Sequence, residues 1–408
     1  MNPLTKAPPK EAPRASGGEA LRQLLGQPVS AIDTPALVLN LDAMNRNLVR
    51  MADFARKHDV RWRAHAKTHK SSALARLQMQ AGACGVCVQK TAEAEAMVVG
   101  GVTDVYITNE VVAPAKLARV AALAHRIAAE GGQLAIAVDS ALGVQRLAQA
   151  MNEARAAGGG SAVIDVFVEL DVGHGRCGVA PGRLAVALAH EIRKHAPLRF
   201  AGLQAYHGKA QHVRSAQERR ALVGQVVQDV MFTRKLMESE GVAVPLVTGA
   251  GTGSMVGEAA SGAFGELQAG SFLFMDADYA LNERDPVQPQ FEHALFVKSQ
   301  VMSVGLQHAV CDAGHKSHAI DSGMPRVFAL QEGEPELNYA NGGDEHGILR
   351  PGAGNAGQLP ALGDTVWLVP GHCDPTVNLH DYLIGVKGGL VRGRVERIIR
   401  VDARGALT

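Results

Sequence analysis

The chain has 408 residues, with 41 Lys+Arg against 40 Asp+Glu, 47% hydrophobic and 4% aromatic residues. A net charge of +1 argues against a main affinity for nucleic acid or an anionic membrane surface, since both need a pronounced basic field. The length exceeds one ordinary domain, and a small-molecule partner becomes the default.

Residues 1–30 form a polar lead-in with one possible helical turn around Ala20 to Leu25; this composition predicts a flexible segment that buries little and carries no chemistry. No apolar run reaches the roughly 18 residues of a membrane span. Lys6, Lys10 and Arg14 have no apolar stretch behind them, so a signal peptide is not expected and the protein is expected to be soluble and cytoplasmic. Five thinly spread cysteines do not make a disulfide framework and fit a reducing compartment.

From Thr34 the text changes. Short β-rich runs appear at Ala36 to Leu41, Val60 to Lys67, Gly85 to Gln89, Val105 to Asn109, Leu134 to Asp139, Ile164 to Asp171, Phe200 to His207, Leu246 to Gly249 and Glu266 to Phe272. Between them lie stretches such as Ala115 to Glu130, Leu142 to Ala156, Arg183 to His195 and Gln217 to Glu240, each long enough for a helix. Alternation of this kind implies parallel strands with helical crossovers. The runs after the first fit an α/β fold, a (β/α)8 TIM-type barrel over residues 31–285, with an open doubly wound sheet as the competing architecture. The barrel is preferred because Lys67, Gln89, Asn109, Asp139, Asp171, Tyr206, Gly249 and Gln268 all fall at the carboxyl ends of their strands, where one mouth would gather them. From about Phe291 short extended runs are separated by Gly, Pro and Asp turns, which predicts a C-terminal all-β domain over residues 286–408.

Three constellations could carry chemistry. Period-two alternation places Arg63, His65 and Lys67 on the face that lines a barrel, where an unpaired cation is costly. Lys67 is therefore either ion-paired for structure or held near a reactive carbonyl, with its pKa lowered by burial and neighbouring cations. After the seventh barrel strand, Thr248-Gly249-Ala250-Gly251-Thr252-Gly253-Ser254 can aim backbone N–H groups at an anion; it is neither a dinucleotide fingerprint nor a P-loop. A lysine at the mouth and a phosphate cradle in one barrel suggest pyridoxal phosphate. In the β-domain, His372 and Asp374 would face the same way in an extended segment, a pair suited to a divalent ion, with a polar turn as the plain alternative.

Lesser candidates are Arg176, within Gly173-His174-Gly175-Arg176-Cys177-Gly178, and Tyr206, His207 and His212 after strand six, one of the imidazoles being a possible general base. Cys84 and Cys87 have redox spacing but read as core packing, and His58, His125, His190 and His195 read as surface residues of helices.

Taken in order, His65-Ala66-Lys67-Thr68-His69-Lys70, Gly85 to Lys90, Thr108-Asn109-Glu110, Asp171 to Gly178, Gln204-Ala205-Tyr206-His207, Gly249 to Ser254, Phe274 to Tyr279, Asp344 to Gly347 and His372 to Thr376 resemble the D-threonine aldolases. These are grouped with D-serine dehydratase and 3-hydroxy-D-aspartate aldolase in the alanine-racemase-like fold type of pyridoxal phosphate enzymes. The resemblance runs from about Asp33 to Gly405. It implies Lys67 as the residue that carries the cofactor covalently, with Gln89, Arg176, Tyr206, Gly251, Thr252, Gly270 and Ser271 around it, His212 as the base, and His372 and Asp374 as metal ligands. It also implies a homodimer with the site between subunits, and retro-aldol cleavage of D-β-hydroxy-α-amino acids to glycine and an aldehyde. The carboxylate at 374 points to Mn or Mg over Zn, because a harder ligand suits harder ions. Ala250 stands where such enzymes often carry glycine, a small change if its backbone dihedrals are ordinary. Two rival readings stand beside this one: a D-serine or 3-hydroxyaspartate dehydratase, and a non-catalytic pyridoxal phosphate carrier.

Overall fold

The computed structural model describes residues 21–330, 334, 336–352 and 358–408. One sheet runs β2 (Arg61–Trp62), β10 (Glu266–Leu267), β9 (Leu246–Gly249), β8 (Leu198–Ala205), β7 (Ile164–Glu169), β6 (Gln133–Val138), β5 (Asp104–Glu110), β4 (Val86–Val88) and β3 (Ala64–His65), all pairs parallel. The two end strands are halves of one extended run broken at Arg63, whose own N–H still bonds Leu267 O at 2.9 Å. The ring therefore closes as the eight-stranded barrel expected from the sequence. Helices begin where local chemistry caps them: Ser140 accepts from Gly143 N ahead of Ala141–Ala154, and Ser215 accepts from Glu218 N ahead of Ala216–Ser239.

The other sheet holds β11 (Leu295–Val304), β12 (Ala309–Cys311), β13 (Arg326–Val327), β14 (Leu337–Asn341), β15 (Gly347–Pro351), β16 (Thr365–Val369), β17 (Tyr382–Lys387) and β18 (Arg394–Arg400). It also takes in β1 (Ala36–Asn40), antiparallel to β11 and parallel to β17. The first β-rich run of the chain thus sits with the C-terminal strands and not with the barrel that follows it. The domain also carries a short helix, Cys373–Val377, which the all-β expectation did not include. One apolar cluster contains Trp62, Phe272 and Phe274 from the barrel side together with Leu37, Leu295, Leu368 and Leu383 from the second sheet, so the two sheets share a core.

Part of the lead-in departs from expectation. Residues 1–20 lie outside the described residues, but Gly26 N bonds Val395 O at 2.8 Å, and Val29 and Ile32 are buried among Val38, Phe296 and Ile384. Segment 21–30 is therefore docked on the second sheet, because its few apolar side chains find a ready face. Among the helical histidines, His190 and His195 pair with acidic residues at the surface, whereas His58 is half-buried against Phe54 at 4.4 Å. His125 is buried with neither ring nitrogen partnered among the described residues, which corrects the surface assignment: it shares the buried part of its helix with Leu123, Ala124 and Ile127. The five cysteines are free thiols; Cys87 packs inside the barrel with Tyr106 and Phe167, and burial pushes the Cys84 thiol up to about 11, away from redox reactivity. No helix of the described residues is long and apolar enough to cross a membrane.

Strand alternation sends Val105 and Ile107 outward and Asp104, Tyr106 and Thr108 into the barrel, while Glu266 and Gln268 enter from β10 and its continuation. At the amino-terminal end Arg63 resolves its own cost: Nε bonds Glu266 Oε1 at 3.1 Å, Nη1 pairs with Asp104, and Thr248 Oγ1 donates to the same Glu266 oxygen at 3.0 Å. Both Arg63 and Glu266 are buried. Glu266→Ala is expected to cost about 2–4 kcal/mol, because it leaves the buried Arg63 guanidinium with Asp104 alone. Urea denaturation checks this, and a loss below about 1 kcal/mol contradicts it.

Candidate active site

The carboxyl end of the barrel encloses a cavity of about 220 Å³ lined by Lys67, Gln89, Arg176, Tyr206, Gly251, Thr252, Gly270 and Ser271, all singled out in the sequence. His65, Thr68, Thr108, Gln204, Gln268 and Tyr279 complete the wall. Of the strand-end residues expected there, Asn109, Asp139 and Asp171 turn aside: Asn109 donates to Gln89 O, Asp139 accepts from Gly178 N, and Asp171 accepts from Gly173 N and Gly175 N. Four wall residues were missed: Thr108 and Gln204 are one and two positions earlier on the inward side, so strict period-two counting along β5 and β8 would have found them, whereas Thr68 and Tyr279 stand on short helical turns outside any strand pattern.

The floor is uncharged. Gln89 Nε2 lies 3.0 Å from both His65 Nε2 and Thr108 Oγ1, and Gln268 Nε2 donates to Thr248 Oγ1 at 2.9 Å. Burial, then the neighbouring Lys67, drives the His65 imidazolium pKa down to about 3, so the ring is neutral. Arg176, delivered by the glycine-rich loop, stands with Cζ 5.9 Å from the Tyr206 ring centroid.

The wall expected to cradle an anion comes from two tight turns, in which Gly251 N donates to Ser254 Oγ at 3.3 Å. A Cβ on Gly270 would lie 2.7 Å from His65 O, and one on Gly251 would collide with the Gln211 side chain. Gly253 N donates to Gln211 Oε1 at 3.0 Å, and Phe272 N donates to Thr252 Oγ1 at 3.0 Å, which ties the two turns together. Ala250 is held at φ +66°, in the left-handed region, so its dihedrals are not the ordinary ones under which a methyl would be harmless.

Lys67 sits in a 3-10 turn, Ala66–Thr68, and its Nζ donates to Asp374 Oδ2 at 2.6 Å across the junction of the two sheets. Burial works to lower the lysine, but the Asp374 carboxylate outweighs it and Lys67 rises above its usual range. Burial likewise works to raise Asp374, and Lys67 with His372 brings it down to about 2. The expectation that neighbouring cations depress Lys67 is therefore corrected, because its nearest partner is an acid. His372 and Asp374 do converge, with Nε2 to Oδ2 at 4.0 Å, but through the start of helix Cys373–Val377 and not along a strand. His372 Nδ1 lies 2.7 Å from Asp321 Oδ2, which leaves Nε2 turned to Asp374. Asp374 Oδ1 is buried without a hydrogen-bond partner among the described residues. No group of three or more metal-capable side chains is present among them.

His207 is used locally, Nδ1 accepting from Ala210 N at 3.1 Å. His212 is half-exposed and does not itself line the cavity; its Nδ1 lies 2.6 Å from Asp278 Oδ2 and its ring 5.8 Å from that of Tyr279, which does.

The alanine racemase N-terminal domain family matches residues 39–278, and the serine dehydratase domain family matches residues 294–386. A D-threonine aldolase of Arthrobacter sp is 44% identical over 384 residues, covering 93% of this chain and 95% of that protein. The chain belongs to the D-threonine aldolase family. It is a lyase of the D-threonine aldolase type, on an alanine-racemase-like barrel followed by a β-domain. A 3-hydroxy-D-aspartate aldolase of Paracoccus denitrificans (strain Pd 1222) is 40% identical, over 95% of this chain and 96% of that protein. The crystal structure of D-threonine aldolase from Filomicrobium marinum superposes with a TM-score of 0.87 at 46% identity, covering 94% of this chain and 99% of that one.

Within this D-threonine aldolase family member, two expected outcomes follow from the cradle. Ala250→Gly relieves roughly 1–2 kcal/mol of left-handed strain against about 0.8 kcal/mol for a lost buried methyl, so it is expected to be neutral or stabilising by up to about 1 kcal/mol. Chemical denaturation reads this, and a loss beyond about 1 kcal/mol contradicts it. Glu258, behind the cradle, is buried with Oε2 unpartnered, and burial raises its carboxyl to about 7. A folded pKa above the unfolded one means that stability present below pH 4.5 is lost as pH rises through about 7. Glu258→Gln is therefore expected to be about 2–3 kcal/mol more stable than the parent at pH 8, a gap that closes toward pH 4.5. A pH-independent difference in melting would refute the assignment.

Proposed function

We propose that this chain cleaves D-β-hydroxy-α-amino acids, D-threonine and its relatives, to glycine and an aldehyde, using pyridoxal 5'-phosphate and a divalent ion. The observation that carries the reading is the meeting of an amine from the barrel mouth and a carboxylate–imidazole step from the β-domain, Lys67 Nζ to Asp374 Oδ2 at 2.6 Å. Gly251, Thr252, Gly270 and Ser271 lining the same cavity support it, since they are the residues expected to hold the phosphate.

The residues present fit both groups. Lys67 would hold the cofactor's carbonyl carbon, Gly251, Thr252, Gly270 and Ser271 its phosphate, and Arg176, Tyr206 and Gln89 its ring. The unpartnered Asp374 Oδ1 and the Nε2 of His372 are the donor set for a hard divalent ion, Mn or Mg before Zn. Bound there, the cofactor supplies an electron-withdrawing ring next to the substrate α-carbon, and the ion a Lewis acid beside the β-oxygen. His212, with Nδ1 committed to Asp278, would take the β-hydroxyl proton at Nε2. As that proton leaves, the Cα–Cβ bond breaks, the aldehyde departs, and the electron pair left on Cα is reprotonated to give glycine. The cavity's neutral floor keeps other acids and bases away from that carbon. A homodimer belongs to the same reading.

Dehydration of D-serine or 3-hydroxyaspartate would instead expel the β-oxygen and yield ammonia and a keto acid. The carboxylate at 374 favours the aldolase. Incubation with D-threonine, cofactor and Mn is expected to give glycine and acetaldehyde in equal amounts and to stop with a chelator; ammonia as main product would sink the reading. Lys67→Ala is expected to lower turnover at least about 1,000-fold and to remove the visible absorbance of bound cofactor. A carrier without turnover would give neither product.

A further inference from the structure

The short segment that leaves the barrel, Asp276 to Ala280, touches three parts of the site. Asp276 is 1% exposed, and its two carboxylate oxygens serve two different elements. Oδ1 accepts from Tyr279 N at 2.9 Å, which caps the helical turn that carries the cavity-lining Tyr279; Oδ2 accepts from Cys373 N at 3.1 Å. Cys373 is the residue between His372 and Asp374. Two backbone bonds fasten the same stretches together, Ala277 N to Pro370 O at 2.9 Å and Asp278 N to Gly371 O at 3.2 Å.

Asp278 faces the other way. Its Oδ2 meets His212 Nδ1 at 2.6 Å, its Oδ1 is paired with Arg214, and Arg214 Nη1 also donates to Asp278 O at 2.7 Å. Burial raises this carboxyl, but Arg214 and His212 hold it below the usual range, so it is an anion. An anionic acceptor on Nδ1 keeps the proton there and leaves Nε2 as the basic nitrogen.

We propose that Asp276 and Asp278 are positioning residues with separate tasks. Asp276 sets the backbone of the His372–Asp374 step for its divalent ion, and Asp278 fixes the ring and tautomer of His212. A helix cap alone does not call for a buried carboxylate, since serine or asparagine caps as well without the desolvation cost. Only a carboxylate offers two acceptors to two N–H groups on opposite sides. The proposal rests on the functional reading above, and the two tasks predict a double dissociation.

The test uses the cofactor-loaded enzyme, with Mn²⁺ titrated by electron paramagnetic resonance, steady-state turnover of D-threonine at saturating Mn²⁺, and the cofactor's visible absorbance as a check of folding. Asp276→Asn loses one of the two acceptors and is expected to weaken Mn²⁺ binding about 10–100-fold, more than it lowers kcat. Asp276→Ser keeps the cap on Tyr279 N but not the bond to Cys373 N, and serves if the asparagine variant does not fold. Asp278→Asn presents an N–H to Nδ1, drives the ring proton to Nε2, and is expected to lower kcat about 10²–10⁴-fold with KM and Mn²⁺ affinity within about twofold. The ¹⁵N shifts of His212 should report the exchanged tautomer. Both variants moving affinity and kcat together, or Asp276 variants leaving Mn²⁺ affinity unchanged, overturns the proposal. Parent enzyme that binds no Mn²⁺, or His212→Ala with full kcat, instead overturns the functional reading, before either aspartate variant is compared.

Discussion

One ion pair joins the halves of this protein. Lys67 comes from the 3-10 turn that follows the first barrel strand and Asp374 from the short helix after β16, and they meet at 2.6 Å with the lysine raised and the carboxyl lowered. Two charges in that setting lose much of their hydration, and the mutual attraction compensates only at close range. The seat of the second sheet on the barrel mouth brings them that close. The shared apolar cluster of Trp62, Phe272, Leu295 and Leu368 provides the rigidity that holds the two charges at that distance. In the proposed reaction each partner has another use, the amine for a carbonyl and the carboxylate for a cation, so the pair is a resting arrangement that the working state must exchange.

The barrel interior makes the same point at longer range. Arg63, Glu266, Thr248, Gln268, Gln204 and Glu169 form a connected run of hydrogen bonds from the closed end to the cavity floor. A polar interior of this kind is tolerable because its members are satisfied in sequence. Its chemical result is a floor of amides, hydroxyls and one neutral imidazole, with the Arg63–Glu266 pair kept at the closed end and Lys67 and Arg176 at the mouth. The net charge of +1 conceals that arrangement.

The barrel was legible because its strands are apolar on the outward face and four of its crossovers, Pro114–Ala129, Ala141–Ala154, Arg183–Arg193 and Ala216–Ser239, are helices of three turns or more. The cavity was legible where chemistry marks a strand end, as at Lys67, Gln89 and Tyr206. Thr108 and Gln204 escaped because nothing in a threonine or glutamine stands out until strand parity is counted. Ala250 misled, since a positive φ at a non-glycine residue is set by the packing of the turn and leaves no local trace. The His372 step was found by residue type and mistaken in geometry: a proline at 375 and a threonine whose Oγ1 donates to His372 O favour a helical start over an extended run. The roles of Asp276 and Asp278 could not be read at all, because their partners lie 97 and 66 positions away.

The account stands on Asp374 exchanging Lys67 for a metal ion. The most direct measurement is a crystal structure of the cofactor-loaded protein with Mn²⁺, the ion located by its anomalous signal. The expected result is a Mn²⁺ peak within about 2.3 Å of His372 Nε2 and an Asp374 oxygen, with Lys67 Nζ withdrawn from the carboxylate. A loaded structure in which the Lys67–Asp374 pair persists and no anomalous peak lies beside His372 would contradict it.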